Sequence, residues 1–317
     1  MASIRGSITR RHLAGNDHAD PGFALCAGLR KPIQQRCRTA PGRRQRLCHS
    51  AIVFTNGEVH AISWSTRRPG GFDDGELAAF DAVGAPFARA TEIYCLRRTA
   101  VTFLDTYVGH GAGGRILSEN IQRGDVQEMD AVILAADLRG FTHYTASHDG
   151  ALAIERLNAF FDILVAPITA RGGGGEVLKF MGDGLLAMFP YEGDGELAAR
   201  CHDALEAATA AIEALVQASD GGDRVGEVDE AIRCGIALHP GRVLFGNVGS
   251  DSRLDFTAIG EAVNMAARLE TVAGELGQSI LVSAAFAAAE GGRNQSLGHF
   301  DLKSFAGARE ALMPAGV

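Results

Sequence analysis

Two aspartates place the tightest constraint on what this chain can fold into. The stretches AVILAADLRGFT (131–142) and EVLKFMGDGLLAMF (176–189) each run apolar, reach an aspartate, and turn at glycine within a few residues. Both read as strands that end at their aspartate. Asp137 and Asp183 then meet at one edge of a sheet. Two carboxylates brought together there form a site for a hard, oxygen-preferring cation.

The surrounding order of elements is α/β in character from Ala131 onward. A strand at 132–137 is followed by helical material at 149–170, where Leu152, Leu157, Phe160, Phe161, Leu164 and Ile168 form a stripe. RGGGG at 171–175 stops it. Strands at 176–180 and 185–189 flank Gly182-Asp183-Gly184 as a hairpin. A long amphipathic helix is expected over 193–217, then a loop, then two strands around His239-Pro240-Gly241. DFTAIG reads as a short strand, AVNMAARLETVA as a helix, SILVS as a strand, and the remainder as strand and loop. The fold class is therefore α+β, a ferredoxin-like βαββαβ core with extensions, preceded by a small α/β fragment and a helix.

Upstream, residues 1–50 show neither helical nor strand period and are expected as a basic, poorly ordered tail. They carry ten Lys/Arg against two Asp/Glu, and the rest of the chain carries 20 against 36. A basic tail can contact nucleic acid, but its charges are scattered and no recognition motif accompanies them, so no nucleic-acid partner is expected. AIVFTNGEVHAISWSTRR reads as a hairpin around Asn56-Gly57, and Asp73 or Asp74 as the cap of a helix beginning GELAAF. From Pro86 to Val108 the apolar residues keep near-helical spacing, either packed on their own domain or paired with a twin in a parallel dimer. Residues 109–130 read as a linker, and 306–317 as a C-terminal tail.

No run approaches the length of a membrane-spanning helix, and the start lacks the apolar segment of a secretory signal. The six cysteines include no CxxC pair, so they read as reduced thiols in a cytoplasmic protein rather than as a zinc site.

DLRGFT at 137–142, KFMGDG at 179–184 and FTAIGEAVNMAARLE at 256–270 together resemble the class III nucleotidyl cyclase catalytic domain. The likeness covers about 131–305, with the motifs in family order. It implies conversion of ATP to cyclic AMP and pyrophosphate, with two Mg²⁺ or Mn²⁺ per active site. Asp137 and Asp183, with the carbonyl of Leu138, match the metal-binding positions. Gly140, Phe141 and Thr142 match the turn that holds the triphosphate. Lys179 and Thr257 match the base-selecting pair; a lysine that donates to adenine N1 and a threonine that accepts from N6 favour ATP. Asn264 and Arg268, four apart on one helix face, match the groups that orient the ribose and stabilise the transferring phosphoryl. The alternative for Arg268 is a surface ion pair with Glu261 or Glu270. Lys303 and Arg253 lie near family phosphate contacts. The resemblance further implies a homodimer whose active sites form between subunits. A guanylate cyclase and a non-catalytic nucleotide-binding protein are the competing readings. The hairpin, loop and helix of 51–108 resemble part of a GAF-type sensor domain.

Overall fold

The computed structural model describes residues 5–9, 36–39, 46–118, 123–170, 174–220 and 232–315. The chain forms two compact units, Met1–Ala100 and Val101–Val317.

The first unit is built on an antiparallel sheet of order β1-β4-β3-β2, with β1 (Arg5–Thr9), β2 (Arg36–Thr39), β3 (Arg46–Val53) and β4 (Val59–Thr66). Part of the stretch expected as a poorly ordered tail, residues 1–50, is strand. β1, β2 and most of β3 fall within that stretch, and each is fixed by a ladder to a neighbour distant in sequence or beyond a turn. Such pairing leaves little local period to read. The hairpin between β3 and β4 closes at Asn56-Gly57. Gly57 takes φ +87°, and the Glu58 N–H donates to Asn56 Oδ1 at 2.9 Å. Helix α1 (Asp74–Tyr107) starts at a capping box. Glu76 N–H donates to Asp73 Oδ1 at 2.9 Å, and Asp73 N–H donates back to Glu76 Oε2 at 3.0 Å. Trp64 stacks on Phe80 at 4.3 Å between ring centroids, beside Ile52, Phe54 and Ile62. Glu92 is buried and accepts from the Thr55 N–H at 2.9 Å and from the Thr55 hydroxyl.

The second unit carries a sheet of order β11-β12-β10-β8-β5-β7-β6, with β9 added on β8. Its strands are β5 (Val126–Leu138), β6 (Glu176–Met181), β7 (Gly184–Tyr191), β8 (Cys234–Ser250), β9 (Arg253–Ile259), β10 (Ile280–Ser283), β11 (Asn294–Phe300) and β12 (Arg309–Pro314). β5, an interior strand, pairs antiparallel with both β7 and β8. One face packs on α4 (Gly150–Ile168) and α5 (Asp194–Asp220), burying Phe160, Leu164, Phe189 and Leu215. The other packs on α6 (Glu261–Leu276), burying Ala262, Ala266 and Phe245. Strand residues alternate between the faces, as period 2 requires. This mixed sheet with helices on both faces is the α+β architecture expected.

Three boundaries differ from expectation. Residues 109–130 are not all linker, because α2 (His110–Ser118) and the start of β5 lie there. The α2 backbone is received by a carboxylate, with Ala112 N–H donating to Glu176 Oε1 at 3.1 Å. The tail expected after 305 holds β12, which pairs with both β10 and β11. The stretch around His239-Pro240-Gly241 is one continuous strand rather than two. β10 pairs with β8 at 236–238 and β9 pairs with it at 244–250, so β8 has no partner on that side between them. A proline, lacking its N–H, is tolerated in such a gap.

His239 gives the fold an acid-sensitive point. Its Nδ1 lies 2.7 Å from Ser283 Oγ, and burial pushes its pKa down to about 4. A depressed folded pKa means stability that is full above the unfolded value and lost as pH falls through the folded one. The expected loss between about pH 6.5 and pH 4 reaches about 3 kcal/mol from this group. Urea unfolding at pH 7.5 and pH 4.5 measures it. His239→Gln should flatten that part of the dependence.

Candidate active site

The sheet brings Asp137 and Asp183 together through the β5–β7 ladder. Asp137 is registered opposite Gly184, and Asp183 directly precedes that glycine in a two-residue turn with Gly182 at φ +67°. A side chain at 184 would crowd the site, because a Cβ there would lie 3.1 Å from Asp137 Oδ1. Leu138 N–H donates to the Asp183 carbonyl at 3.1 Å and ties the two strand ends. Burial, and next the charge of Asp183, push the Asp137 carboxyl above its usual range, while Arg139 opposes them. A carboxyl group whose ionisation is resisted in this way, beside a second one, suits a divalent cation, which offsets both the burial and the repulsion at Asp137. Among the described residues no cluster of three or more His, Cys, Asp and Glu is placed to hold a metal. The acidic donors brought together here are therefore the two carboxylates.

The chain turns next at Gly140, the N-cap of α3 (Phe141–Ser147), at φ 74° with no side-chain cap. Thr142 is exposed within the helix rather than capping it. Tyr144 N–H donates to the Gly140 carbonyl at 3.0 Å.

Lys179 and Thr257 lie on β6 and β9, strands that the sheet does not pair with each other. A register shift in β6 between Val177 and Lys179 re-aims the lysine. Its Nζ lies 3.4 Å from Asp255 Oδ2 on β9. Thr257 is two residues along, hence on the same face. It is 4% exposed, and its hydroxyl has no hydrogen-bond partner. Sequence reasoning missed Asp255, although its spacing of two from Thr257 on a strand marks it.

Asn264 and Arg268 are both exposed on α6, opposite the buried face of Ala262, Met265, Ala266 and Leu269. Glu270 does not pair with Arg268. It forms an ion pair with Arg139, Oε1 to Nη1 at 2.8 Å. Burial raises its carboxyl to about 7, against the pull of Arg139. Lys303 and Arg253 are both exposed, Lys303 in a turn after β11 and Arg253 as the first residue of β9.

The chain is similar to several known proteins. A 169-residue stretch is 32% identical to an adenylate cyclase of Anabaena cylindrica, covering 52% of this chain and 32% of that protein. A 165-residue stretch is 30% identical to the terminal-differentiation specific adenylate cyclase of Dictyostelium discoideum, covering 52% of this chain and 7% of that one. The chain thus spans about a third or less of either relative. Among solved structures, a bacterial light-regulated adenylyl cyclase aligns with a TM-score of 0.60 at 22% identity, over 73% of this chain and 64% of that one. An adenylyl cyclase of P. aeruginosa aligns with a TM-score of 0.52 at 22% identity, over 59% and 94%. Residues 125–303 match the family described as "Adenylate and Guanylate cyclase catalytic domain". That span is more than half of the sequence and includes both aspartates, the lysine–threonine pair and the exposed face of α6, so the chain belongs to the adenylate and guanylate cyclase catalytic-domain family.

Proposed function

We propose that this chain is an adenylate cyclase that converts ATP to 3′,5′-cyclic AMP and pyrophosphate, acting as a homodimer with active sites at the subunit interface. The observation that carries the choice of ATP is the contact of Lys179 with Asp255, two residues from the unpartnered Thr257 hydroxyl. An ammonium donates to adenine N1, and a hydroxyl oxygen accepts from the N6 amino group. A buried hydroxyl left alone is costly, and an adenine edge would satisfy it.

In the reaction the ribose 3′-oxygen attacks the α-phosphorus, the bond to the bridging oxygen of pyrophosphate breaks, and the proton of the 3′-hydroxyl passes to solvent water. Asp137, Asp183 and the Leu138 carbonyl would hold two Mg²⁺ or Mn²⁺ ions, which lower the hydroxyl's pKa and neutralise phosphate charge. The backbone of Gly140, Phe141 and Thr142 receives the triphosphate at the start of α3. Asn264 orients the ribose, and Arg268 stabilises the charge that develops on the transferring phosphoryl. The exposed face of α6 leaves both side chains free to act across a dimer interface. Residues 131–305 are the catalytic domain in this reading. The hairpin, loop and helix of 51–108 are read as part of a GAF-like sensor. The α1 residues Ile93, Leu96, Phe103 and Tyr107, exposed at spacings of three, seven and four, suit pairing of α1 with its twin.

The relatives' own names, adenylate cyclase in both cases, support the assignment. One observation favours a second reading. The Asp255 carboxylate beside Lys179 is an acceptor of the kind that guanine N1–H requires. Purified chain incubated with Mn²⁺ and either ATP or GTP separates the two. The expected product is cyclic AMP, with cyclic GMP a minor product. Cyclic GMP in excess would replace the first reading by the second. Dimeric protein that makes neither product would sink both.

A further inference from the structure

The sheet face that carries Asp137 holds a charged pair that the reaction has not used. Along β5, Val132, Leu134, Ala136 and Leu138 pack toward α4 and α5, whereas Ala131, Ile133 and Ala135 pack toward α6. Asp137 continues the second set. Across the ladder its partner is Gly235, and paired residues share a face. A Cβ on Gly235 would lie 1.6 Å from Arg139 Nη2, and one on Gly274 of α6 would lie 2.5 Å from Nη1. The guanidinium thus fills the place of the Gly235 side chain, next to Asp137, and only glycine at both positions admits it. Helix α6 holds it there. Glu270 Oε1 lies 2.8 Å from Nη1, close but poorly aligned as a hydrogen bond, and the Glu270 carbonyl accepts from Nη2 at 3.3 Å. On its outer side the guanidinium meets a cavity of about 280 Å³ lined also by Arg233, Gln278 and Ser279. Packing alone does not fix it, so the pair with Glu270 does. The charges of Asp137 and Asp183 both bear on Glu270, and Arg139 is the cation that counters them. Glu270 is thus a third carboxylate, joined to the Asp137 end of the sheet through the guanidinium that occupies the side-chain place of Gly235, the ladder partner of Asp137.

We propose that Arg139 captures Glu270 and keeps it off the Asp137–Asp183 pair, so that an arriving cation meets two carboxylates rather than three. This rests on the reading of that pair as the metal site. Carboxylate number and charge tune hard-cation affinity, and a larger oxygen set favours Ca²⁺ over Mg²⁺. Arg139 is in this sense a specificity-determining residue that acts through Glu270.

Terbium(III) luminescence, with Tb³⁺ as the probe, tests it on the full chain without relying on turnover. Arg139→Ala should tighten Tb³⁺ binding about tenfold. Arg139→Ala with Glu270→Gln should return it to the wild-type value, and adding Asp183→Asn to Arg139→Ala should abolish the gain. Gly235→Ala, which places a methyl where the guanidinium lies, should tighten binding likewise and carries the test if Arg139→Ala does not fold. In the cyclase assay, Ca²⁺ should inhibit Mn²⁺-supported turnover at about tenfold lower concentration in the tightened variants. Unchanged or weakened Tb³⁺ affinity in the folded variants overturns the proposal, as does a gain that survives Glu270→Gln or Asp183→Asn. A wild-type chain that makes no cyclic nucleotide would count against the cyclase reading alone, since the terbium series is read independently.

Discussion

Asp137→Ala and Asn264→Ala should each silence the homodimer, and mixing the two variants should bring activity back. Each substitution removes one half of the proposed chemistry: a metal ligand in the first case, the ribose-orienting amide in the second. Loss of about 10³-fold in kcat is expected for each, in line with what fixed electrostatic groups contribute to phosphoryl transfer. In a dimer with shared sites, a heterodimer of the two variants places both lesions in one site and leaves the other intact. Random reassortment makes about half of the dimers heterodimeric, each with one working site of two, so the mixture should recover about a quarter of wild-type activity. Native mass spectrometry establishes that heterodimers have formed. Heterodimers present without recovered activity would show that each site is built within one chain. The exposure of Asn264 and Arg268 on the outer face of α6 is the structural ground for expecting recovery.

What could be read from sequence follows from how local each feature is. The Asp183 hairpin was legible because Gly182 and Gly184 bracket the aspartate between two apolar runs, a signal contained in a dozen residues. The α6 pair was legible because a spacing of four fixes a shared helix face. β1 and β2 were not, since their partners are supplied by β4 and β3 rather than by their own period. Pro240 argued for a break because proline is excluded from central strands. Only the sheet order reveals that β8 lacks a neighbour there between β10 and β9. The Arg139–Glu270 pair spans 131 residues of sequence. The alternative reading of Arg268 paired it with Glu261 or Glu270, yet Glu270 is two residues away, and i, i+2 side chains on a helix point apart. The contact of Asp255 with Lys179 was not legible because it joins residues 76 apart in sequence on strands β6 and β9.

Lys179→Glu should convert the base preference more strongly than any other single change. The carboxylate would accept from guanine N1–H and face the acceptor at adenine N1 with another acceptor. A site built to hydrogen-bond one edge rejects the wrong edge because its polar groups are left unpaired. The ratio of kcat/KM for ATP to that for GTP should fall by about 10³-fold, mostly through loss of ATP turnover. Asp255 sets how much GTP activity is gained. It lies 3.4 Å from the Lys179 ammonium, so a glutamate there would face a second carboxylate and be forced outward. Lys179→Glu combined with Asp255→Asn should therefore gain more cyclic GMP formation than Lys179→Glu alone. Lys179→Met serves as the reference, since it removes the donor without adding an acceptor. It should lose ATP turnover and gain nothing with GTP. An unchanged ATP-to-GTP ratio in Lys179→Glu would place base selection elsewhere. It would also leave the buried Thr257 hydroxyl without the adenine edge proposed to satisfy it.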